Sequence, residues 1–235
     1  MVTKAVVVVG TAALLVAGTA VPALARTKLR GIDVSHWQGT IDWTQVAGAG
    51  LRFAIAKASE GQTFDDPNYS SYKSGATSAG LSFTAYHFAR PDGGANDAIL
   101  EADHFFIVAQ LASGNLIPAL DLEDSGGLDT ATLTAWTFDW LEELTAKLGV
   151  KPMIYTSPSF WQTYMADSSA FAAAGYKLLW IAEWDVPNPH PPGSNWGGFG
   201  WTFWQRTDCQ TVPGISGCVD GDVYNGANLD RVRIP

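Results

Sequence analysis

Three carboxylates stand within four positions of the segment IPALDLEDSG, residues 117–126. Asp121 and Glu123 follow directly on an apolar run, and Asp124 comes next. In an extended strand, residues i and i+2 point to the same side and lie roughly 6.5 to 7 Å apart along the chain. Two such carboxyl groups raise each other's pKa, and apolar walls raise it further. The spacing of Asp121 and Glu123 therefore predicts an acid pair in which one carboxyl stays protonated near neutral pH and acts as a general acid.

The same cluster has two other interpretations, a calcium loop and a solvated turn. The spacing lacks the D-x-D-x-D-G pattern of a helix–loop–helix calcium site, which leaves only an irregular site open. Asp124 would point away from the other two side chains, and we expect it to be a turn residue in contact with solvent.

Further carboxylates occur at other predicted strands. Asp33 ends the first strand, Glu183 and Asp185 end the sixth, and Asp220 and Asp222 lie in the eighth. Any one of them could be a turn residue or a helix cap. Their joint occurrence at strand ends predicts that they converge at one rim of a barrel, the face where barrel enzymes keep their active sites.

Aromatic and histidine side chains stand beside these acids. The candidates for ligand contact are Trp37, Tyr86, His87, Tyr155, Trp184 and Trp204. Flat rings next to carboxylates are typical of a groove that binds carbohydrate. A single histidine such as His87 is more often a hydrogen-bonded structural residue than a catalytic one. No G-x-S-x-G segment is present, and no G-x-x-x-x-G-K loop, so a serine triad and a phosphate-binding loop find no support.

The elements that must position these side chains form a repeating pattern. Strands are predicted at 30–37, 51–59, 81–89, 116–123, 151–157, 177–184, 200–206 and 218–224. Helices are predicted at 67–80, 95–113, 130–148 and 158–166. Several of the strands are almost continuously apolar, which is typical of a parallel sheet buried on both faces. The segment 185–200 is rich in Pro and Gly and is predicted to be a loop. The pattern predicts a single-domain α/β fold, an incomplete (β/α) barrel that ends in bare strands; the alternative is an open doubly wound sheet.

The net charge and the N-terminal segment narrow the possible binding partners and the cellular location of the protein. The net charge of −9 argues against nucleic acid and against docking by bulk charge onto an anionic surface. Residues 1–25 are predicted to be a signal peptide, with Lys4 before an apolar stretch, ALA at 23–25 as the cleavage site and Arg26 as the first mature residue. The alternative is an uncleaved anchor. We expect a secreted, extracellular protein without membrane association after cleavage, with Cys209 and Cys218 paired.

Eight segments together resemble glycoside hydrolase family 25, the lysozymes of the bacterial, phage and fungal muramidase type. They are GIDVSHWQGTIDW, AIAKASEG, AYHFARP, PALDLED, IYTSPSFW, LWIAEW, FWQ and VDGDVYNG. The resemblance implies a (β/α)5β3 barrel over residues 26–235 and cleavage of the β-1,4 bond between N-acetylmuramic acid and N-acetylglucosamine in peptidoglycan. A chitinase, a β-N-acetylglucosaminidase and a wall-binding protein without catalysis are the alternatives. We expect a monomer with no cofactor and no metal.

The resemblance also implies roles for four acids. Glu123 would be the general acid, Asp121 its partner carboxylate, Asp33 the acid of the first strand and Asp220 the acid of the last. Many relatives have D-x-N at the last position, whereas this chain has Asp220-Gly-Asp222, and Asp220 is favoured as the groove residue. Our hypothesis for the mechanism is substrate-assisted retention. A water-mediated inverting route with Asp33 or Asp220 as the base stays open.

Overall fold

The structure is a computed structural model that describes residues 1–5 and 28–235. The predicted signal peptide lies mostly outside the described residues, as do its cleavage site and Arg26. Within the described part of the chain, no helix is long and apolar enough to cross a bilayer.

Eight strands close into one barrel, and a ninth, short strand pairs with β2. The strands are β1 (Leu29–Val34), β2 (Phe53–Glu60), β3 (Phe64–Asp65), β4 (Ser82–Phe88), β5 (Ala119–Asp121), β6 (Met153–Thr156), β7 (Leu179–Ala182), β8 (Phe203–Gln210) and β9 (Val219–Tyr224). Around the barrel the order is β1-β2-β4-β5-β6-β7-β8-β9, and β9 pairs with β1 to close it. Neighbours are parallel except β9, which runs antiparallel to β8 and to β1. All eight predicted strands are confirmed, and the closure rules out an open doubly wound sheet.

Helices follow the first five parallel barrel strands. They are α1 (Trp43–Gly48), α2 (Tyr69–Ser78), α3 (Asp97–Ala109), α4 (Thr130–Leu148), α5 (Pro158–Tyr164), α6 (Ala170–Ala173) and α7 (Pro192–Gly197), with 3-10 turns at His36–Gln38 and Leu229–Val232. The four predicted helices are confirmed as α2, α3, α4 and α5. The chain then closes with β7, β8 and β9, so the architecture is the expected (β/α)5β3 barrel.

The prediction of a loop throughout 185–200 is wrong, because α7 lies within this segment. From Gly193 to Trp196, φ is between 51° and 61°, so α7 is a single left-handed turn. The pattern of Pro and Gly residues could exclude a right-handed helix but could not reveal this turn. Trp196 anchors it: its ring is fully buried, lies 5.0 Å from the ring of Trp161, and donates from Nε1 to the carbonyl of Tyr176.

The strands have apolar side chains on both faces, which fill two separate layers. The inner layer, inside the barrel, includes Phe53, Ile55, Tyr86, Ala119, Met153, Tyr155, Trp180, Phe203 and Tyr224. The outer layer, between sheet and helices, includes Ile32, Ala54, Leu120, Ile154, Ile181 and the buried side of α4. The inner layer is crowded at Gly31, where an added Cβ would stand 2.4 Å from the ring of Phe53. Strand alternation between these layers therefore decides which side chains can reach the barrel mouth.

A disulfide joins Cys209 and Cys218, as predicted. It closes the loop between β8 and β9, and Cys218 lies two residues before Asp220. By loop-closure entropy, such a short loop contributes about 3 kcal/mol to the free energy of unfolding.

Candidate active site

Asp121 and Glu123 extend from β5 into the mouth of the barrel. The backbone hydrogen bonds between β5 and β6 continue past the end of β5, since Leu122 donates its backbone N–H to the carbonyl of Tyr155 at 3.0 Å. Leu122 is fully buried in the outer layer, so its two neighbours point to the inner side. Asp121 is 5% exposed, whereas Glu123 opens to solvent. The i, i+2 geometry predicted for this pair is therefore present.

Both groups of the pair hold protons more tightly than free side chains do. Burial is the largest cause that raises the pKa of Asp121, followed by the charges of Glu123 and Asp33. Removal from water by the surrounding walls also raises the pKa of Glu123, although Lys57 and Arg90 act in the opposite direction. Oδ1 of Asp121 is buried and accepts no hydrogen bond from any residue in the described ranges. The acid pair therefore contains one buried carboxyl oxygen without a hydrogen-bond donor in that part of the chain.

A second group of carboxyls lies across the barrel on β1 and β9. Asp33 pairs in register with Asp220, and Asp222 lies one strand repeat deeper. Asp33 is within hydrogen-bonding reach of both, and since charges this close cannot all ionise, protons are shared among them. Burial, and then Asp33, raises the pKa of Asp220 to about 9; burial raises the pKa of Asp222 to about 7.

Both aspartates of the DGD segment point into the barrel, but at different depths. Asp222 is 2% exposed and accepts a 2.8 Å hydrogen bond from Nε1 of Trp180. Asp220 is half-buried and nearer the mouth. This placement is compatible with the choice of Asp220 as the groove residue.

Gln205 on β8 links Asp33 to two aromatic residues of the groove and was missed from the sequence. Its Nε2 donates to Oδ2 of Asp33 at 2.9 Å. Its Oε1 accepts from the hydroxyl of Tyr155 and from Nε1 of Trp184, each at 3.0 Å. The amide is 4% exposed, so Gln205 fixes an acid and two aromatic side chains without facing solvent itself.

A pocket of about 600 Å³ opens next to the acid pair. Its walls include Glu123, Tyr155, Gln162, Glu183, Trp184 and His190. On the other side of the mouth, Trp37 is 82% exposed with its ring 4.6 Å from the ring of His36. Tyr86 lies deeper, at the bottom of the mouth, with its ring 6.0 Å from the ring of Trp180. The acids therefore lie in an open groove that has aromatic residues on both sides.

His87 does not lie in the groove, where the sequence interpretation placed it. Because Tyr86 points inward, strand alternation turns His87 to the outer layer. There it is fully buried, stacked at 5.5 Å on the ring of Trp140. Its ring nitrogens lie 2.8 Å from the Ser59 hydroxyl and 2.8 Å from the Glu101 carboxyl.

Trp204 is also separated from the groove. Its neighbour Gln205 points inward, so Trp204 packs in the outer layer and is 8% exposed. Its Nε1 donates to the carbonyl of Glu183 at 2.7 Å. His87 and Trp204 therefore support the barrel wall rather than a ligand.

Two cations beside the acid pair were also missed. Lys57 is buried on the inner side of β2, and its Nζ contacts the carboxyl of Glu60. Arg90 bridges Glu60 at 2.7 Å and Asp124 at 2.7 Å. Asp124 is therefore ion-paired and half-buried. The sequence pattern had predicted a freely solvated turn residue at this position. Within residues 1–5 and 28–235, no group of three or more His, Cys, Asp or Glu residues is arranged to hold a metal ion.

We expect the free energy of unfolding to fall as the pH rises from 7 to 9. The raised pKa of Asp220, about 9, means that the folded chain binds more protons than the unfolded chain over this range, so alkali favours unfolding. The lowered pKa of His87 affects the pH dependence of stability only below the usual pKa range of histidine, so it does not contribute between pH 7 and 9. Urea unfolding at pH 7, 8 and 9 would measure the decline, which Asp220→Asn should reduce. Asp139→Asn, at an exposed position on α4, should leave it unchanged; a steeper decline for Asp220→Asn would contradict the expectation.

A (β/α)5β3 barrel with carboxyl pairs in an aromatic groove at the carboxyl end of its parallel strands has the construction of a glycoside hydrolase. The chain matches the family Glycosyl hydrolases family 25 over residues 32–215. It is 37% identical over 212 residues to Lysozyme M1 of Streptomyces globisporus, covering 85% of this chain and 68% of that protein. It is 31% identical over 209 residues to the N,O-diacetylmuramidase of Chalaropsis sp., covering 84% and 96%.

The fold is similar to that of solved lysozymes as well. The bacterial lysozyme from Streptomyces coelicolor superposes with a TM-score of 0.80 at 34% identity, covering 88% of this chain and 95% of that one. The chain belongs to glycosyl hydrolase family 25, as the sequence resemblance indicated.

Proposed function

We propose that this chain is a secreted lysozyme that hydrolyses the β-1,4 bond between N-acetylmuramic acid and N-acetylglucosamine in peptidoglycan. The relatives that carry the names lysozyme and N,O-diacetylmuramidase support this substrate. The observation that carries the chemistry is the acid pair: Asp121 and Glu123 point to the same side, at the open groove, with raised pKa values.

In the proposed reaction, Glu123 donates its proton to the glycosidic oxygen as the bond breaks. The oxygen of the sugar's own 2-acetamido group attacks the anomeric carbon and forms a cyclic oxazolinium ion. The carboxyl of Asp121 accepts a hydrogen bond from the acetamido N–H and stabilises the positive charge. Water then attacks the anomeric carbon, and Glu123 takes up the proton released by the water.

The Asp33 group has a supporting role in this scheme. Its proton sharing with Asp220 and Asp222 limits the negative charge close to Asp121, which would otherwise resist ionisation of Asp121. In the alternative, inverting route, Asp33 or Asp220 would instead activate a water on the other side of the sugar.

The groove residues would bind the glycan. Trp37 and Trp184 offer exposed faces on which sugar rings stack, and Tyr86 and Tyr155 line the base of the groove. Asp222 would act through Trp180 and Asp33 rather than by touching sugar, since it is buried.

Secretion and a monomeric state belong to the same proposal. The disulfide between Cys209 and Cys218 suits an oxidising compartment outside the cell. A secreted form would meet its wall substrate as a free chain after removal of the predicted signal peptide.

The decisive test is the identity of the reducing ends released from purified peptidoglycan. After borohydride reduction and acid hydrolysis, we expect muramitol, because the cleaved bond would leave N-acetylmuramic acid at the new end. Glucosaminitol in its place would instead indicate a β-N-acetylglucosaminidase specificity. Release of soluble fragments from chitin would support the chitinase alternative, and the absence of any new reducing end would support a wall-binding protein without catalysis.

A further inference from the structure

The face opposite the acid pair is rich in arginine. Parallel strands begin at the same end of a barrel, so residues at strand starts share the face away from the carboxyl rim. Arg30 and Arg52 lie at the starts of β1 and β2, and Arg231 and Arg233 lie in and after the last 3-10 turn. We call these four residues the basal arginine cluster.

Arg30 and Arg52 stand side by side on neighbouring strands. The backbone N–H of Arg52 donates to the carbonyl of Arg30 at 2.8 Å, and the next pair in register is Gly31 with Phe53. Since Phe53 points into the barrel, both arginine side chains leave on the outer side. Like charges opposite each other on adjacent strands repel.

Nothing in the described part of the chain compensates this repulsion directly. Arg30 and Arg52 are both exposed, and neither guanidinium forms a hydrogen bond or an ion pair with a described residue. Two neighbouring arginines without acidic partners lower the stability of the fold, and a bound anion would relieve their repulsion.

Two adjoining cavities connect three of the four arginines, Arg52, Arg231 and Arg233. Arg52 and Arg233 line a cavity of about 510 Å³, and Arg231 lines a second cavity, of about 270 Å³, that shares Ala227 and Asn228 with the first. Arg233 is held in place, because its Nη1 donates to the Gly114 carbonyl at 2.6 Å and its Nη2 to the Ser82 hydroxyl at 2.7 Å. The cluster thus combines one fixed guanidinium with three that are free to turn toward a ligand.

The local charge balance is positive. The acid that contacts the cluster is Asp230, whose Oδ1 lies 3.5 Å from Nε of Arg233. The end of α2 borders the cavity at Ala79 and Gly80 and contributes roughly half a negative charge. Four guanidinium charges against these two leave a net charge of roughly +2.5, although the whole chain carries −9.

We propose that the basal arginine cluster binds the phosphodiester groups of a polyol-phosphate polymer of the bacterial wall. Guanidinium groups bind phosphate through two parallel hydrogen bonds, and two adjoining cavities suit successive phosphates of one chain. The cluster lies on the face away from the groove, so the glycan and the polymer are bound at the same time. The choice of a wall polymer rests on the proposed lysozyme function, whereas the phosphate site rests on the arginines.

A binding assay on the full chain tests the site. Fluorescently labelled poly(glycerol phosphate) is titrated with protein at 50 and 200 mM salt, and its anisotropy is measured. We expect binding that weakens with salt. Arg52→Gln should weaken it roughly fivefold, the effect of one exposed ionic contact. The double variant Arg30→Gln/Arg52→Gln should weaken it further and lower the slope against log salt by about 2, one for each phosphate contact.

Matched variants separate this proposal from general charge effects and from catalysis. Arg206→Gln removes an exposed arginine on β8, away from the cluster, and should bind the polymer like the wild type. Glu123→Gln should also bind normally, so failure of the lysozyme proposal and failure of the phosphate site are measured independently. Lysis of walls stripped of polymer should be equal in wild type and Arg52→Gln, while lysis of intact walls should be slower in the variant.

Three results would overturn the proposal. These are wild-type binding by Arg30→Gln/Arg52→Gln, no measurable binding at 50 mM salt, and equally tight binding of duplex DNA or of anionic vesicles. The circular dichroism spectrum of each variant, matched to that of the wild type, shows that a loss of binding is not a loss of folding.

Discussion

Glu123→Gln is expected to reduce peptidoglycan hydrolysis by at least about 10³-fold while wall binding is retained. Gln keeps the size of the side chain and can still donate a hydrogen bond, but it has no proton to transfer to the glycosidic oxygen. Glu123 lies on the wall of the groove pocket, and its raised pKa favours the protonated form that donates. Turbidity of a wall suspension measures lysis, and sedimentation with the walls measures binding.

The matched control is Glu142→Gln, at an exposed position on α4 away from the groove, which should lyse walls like the wild type. Lysis by Glu123→Gln at the wild-type rate would show that another group is the acid. Loss of wall binding together with lysis would show that Glu123 holds the glycan as well as protonating it.

The alternation of the strands explains which parts of the site the sequence could supply. In PALDLED, Leu120 and Leu122 fill the outer layer, so Asp121 and Glu123 must share the inner side. In AYHFARP, apolar residues occupy both faces, and no pattern indicates whether Tyr86 or His87 points inward. The structure places Tyr86 in the inner layer and His87 in the outer one.

Gln205 and Lys57 were missed for different reasons. Gln205 is an uncharged residue that follows two aromatic residues in β8, and its importance comes from three partners that are far away in the sequence. Lys57 follows Phe53 and Ile55 at intervals of two residues, so alternation did place it inward. A lysine inside a barrel is unfavourable without partners, however, and its partner Glu60 is reached only because β2 changes register between Lys57 and Ser59.

The fold was more predictable than the site because it depends on many residues at once. Eight apolar runs and the helices between them set the order of elements, and a single substitution would not change it. The left-handed turn α7 was missed because its conformation depends on the contacts of one buried side chain, Trp196, with residues distant in the sequence. The placement of His87 and Trp204 likewise depends on one register choice in each strand.

Asp121→Asn is expected to lower kcat by about 10² to 10³-fold with a small change in KM. The carboxylate would act mainly in the transition state, where it stabilises the positive charge that develops on the acetamido group, and an amide cannot supply that charge. Asn is nearly the same size, so the barrel should accept it. Because burial raises the pKa of Asp121, ionisation of this carboxyl destabilises the folded chain, and the variant should unfold at a urea concentration no lower than the wild type does at pH 8.

Asp124→Asn is the matched control, three positions along the same segment. Asp124 pairs with Arg90, and loss of that half-buried ion pair should cost at most about 1 kcal/mol of stability and change kcat far less than Asp121→Asn does, since Asp124 acts on Glu123 only through its charge. The stereochemistry of the wild-type product is a second test of the role of Asp121. The acetamido group attacks one face of the sugar and water then attacks the other, so the configuration at the anomeric carbon is retained. Proton NMR of the first-formed product should show the β anomer. Initial release of the α anomer would rule out retention and would transfer the role of base to Asp33 or Asp220, whose side chains face Asp121 across the barrel mouth.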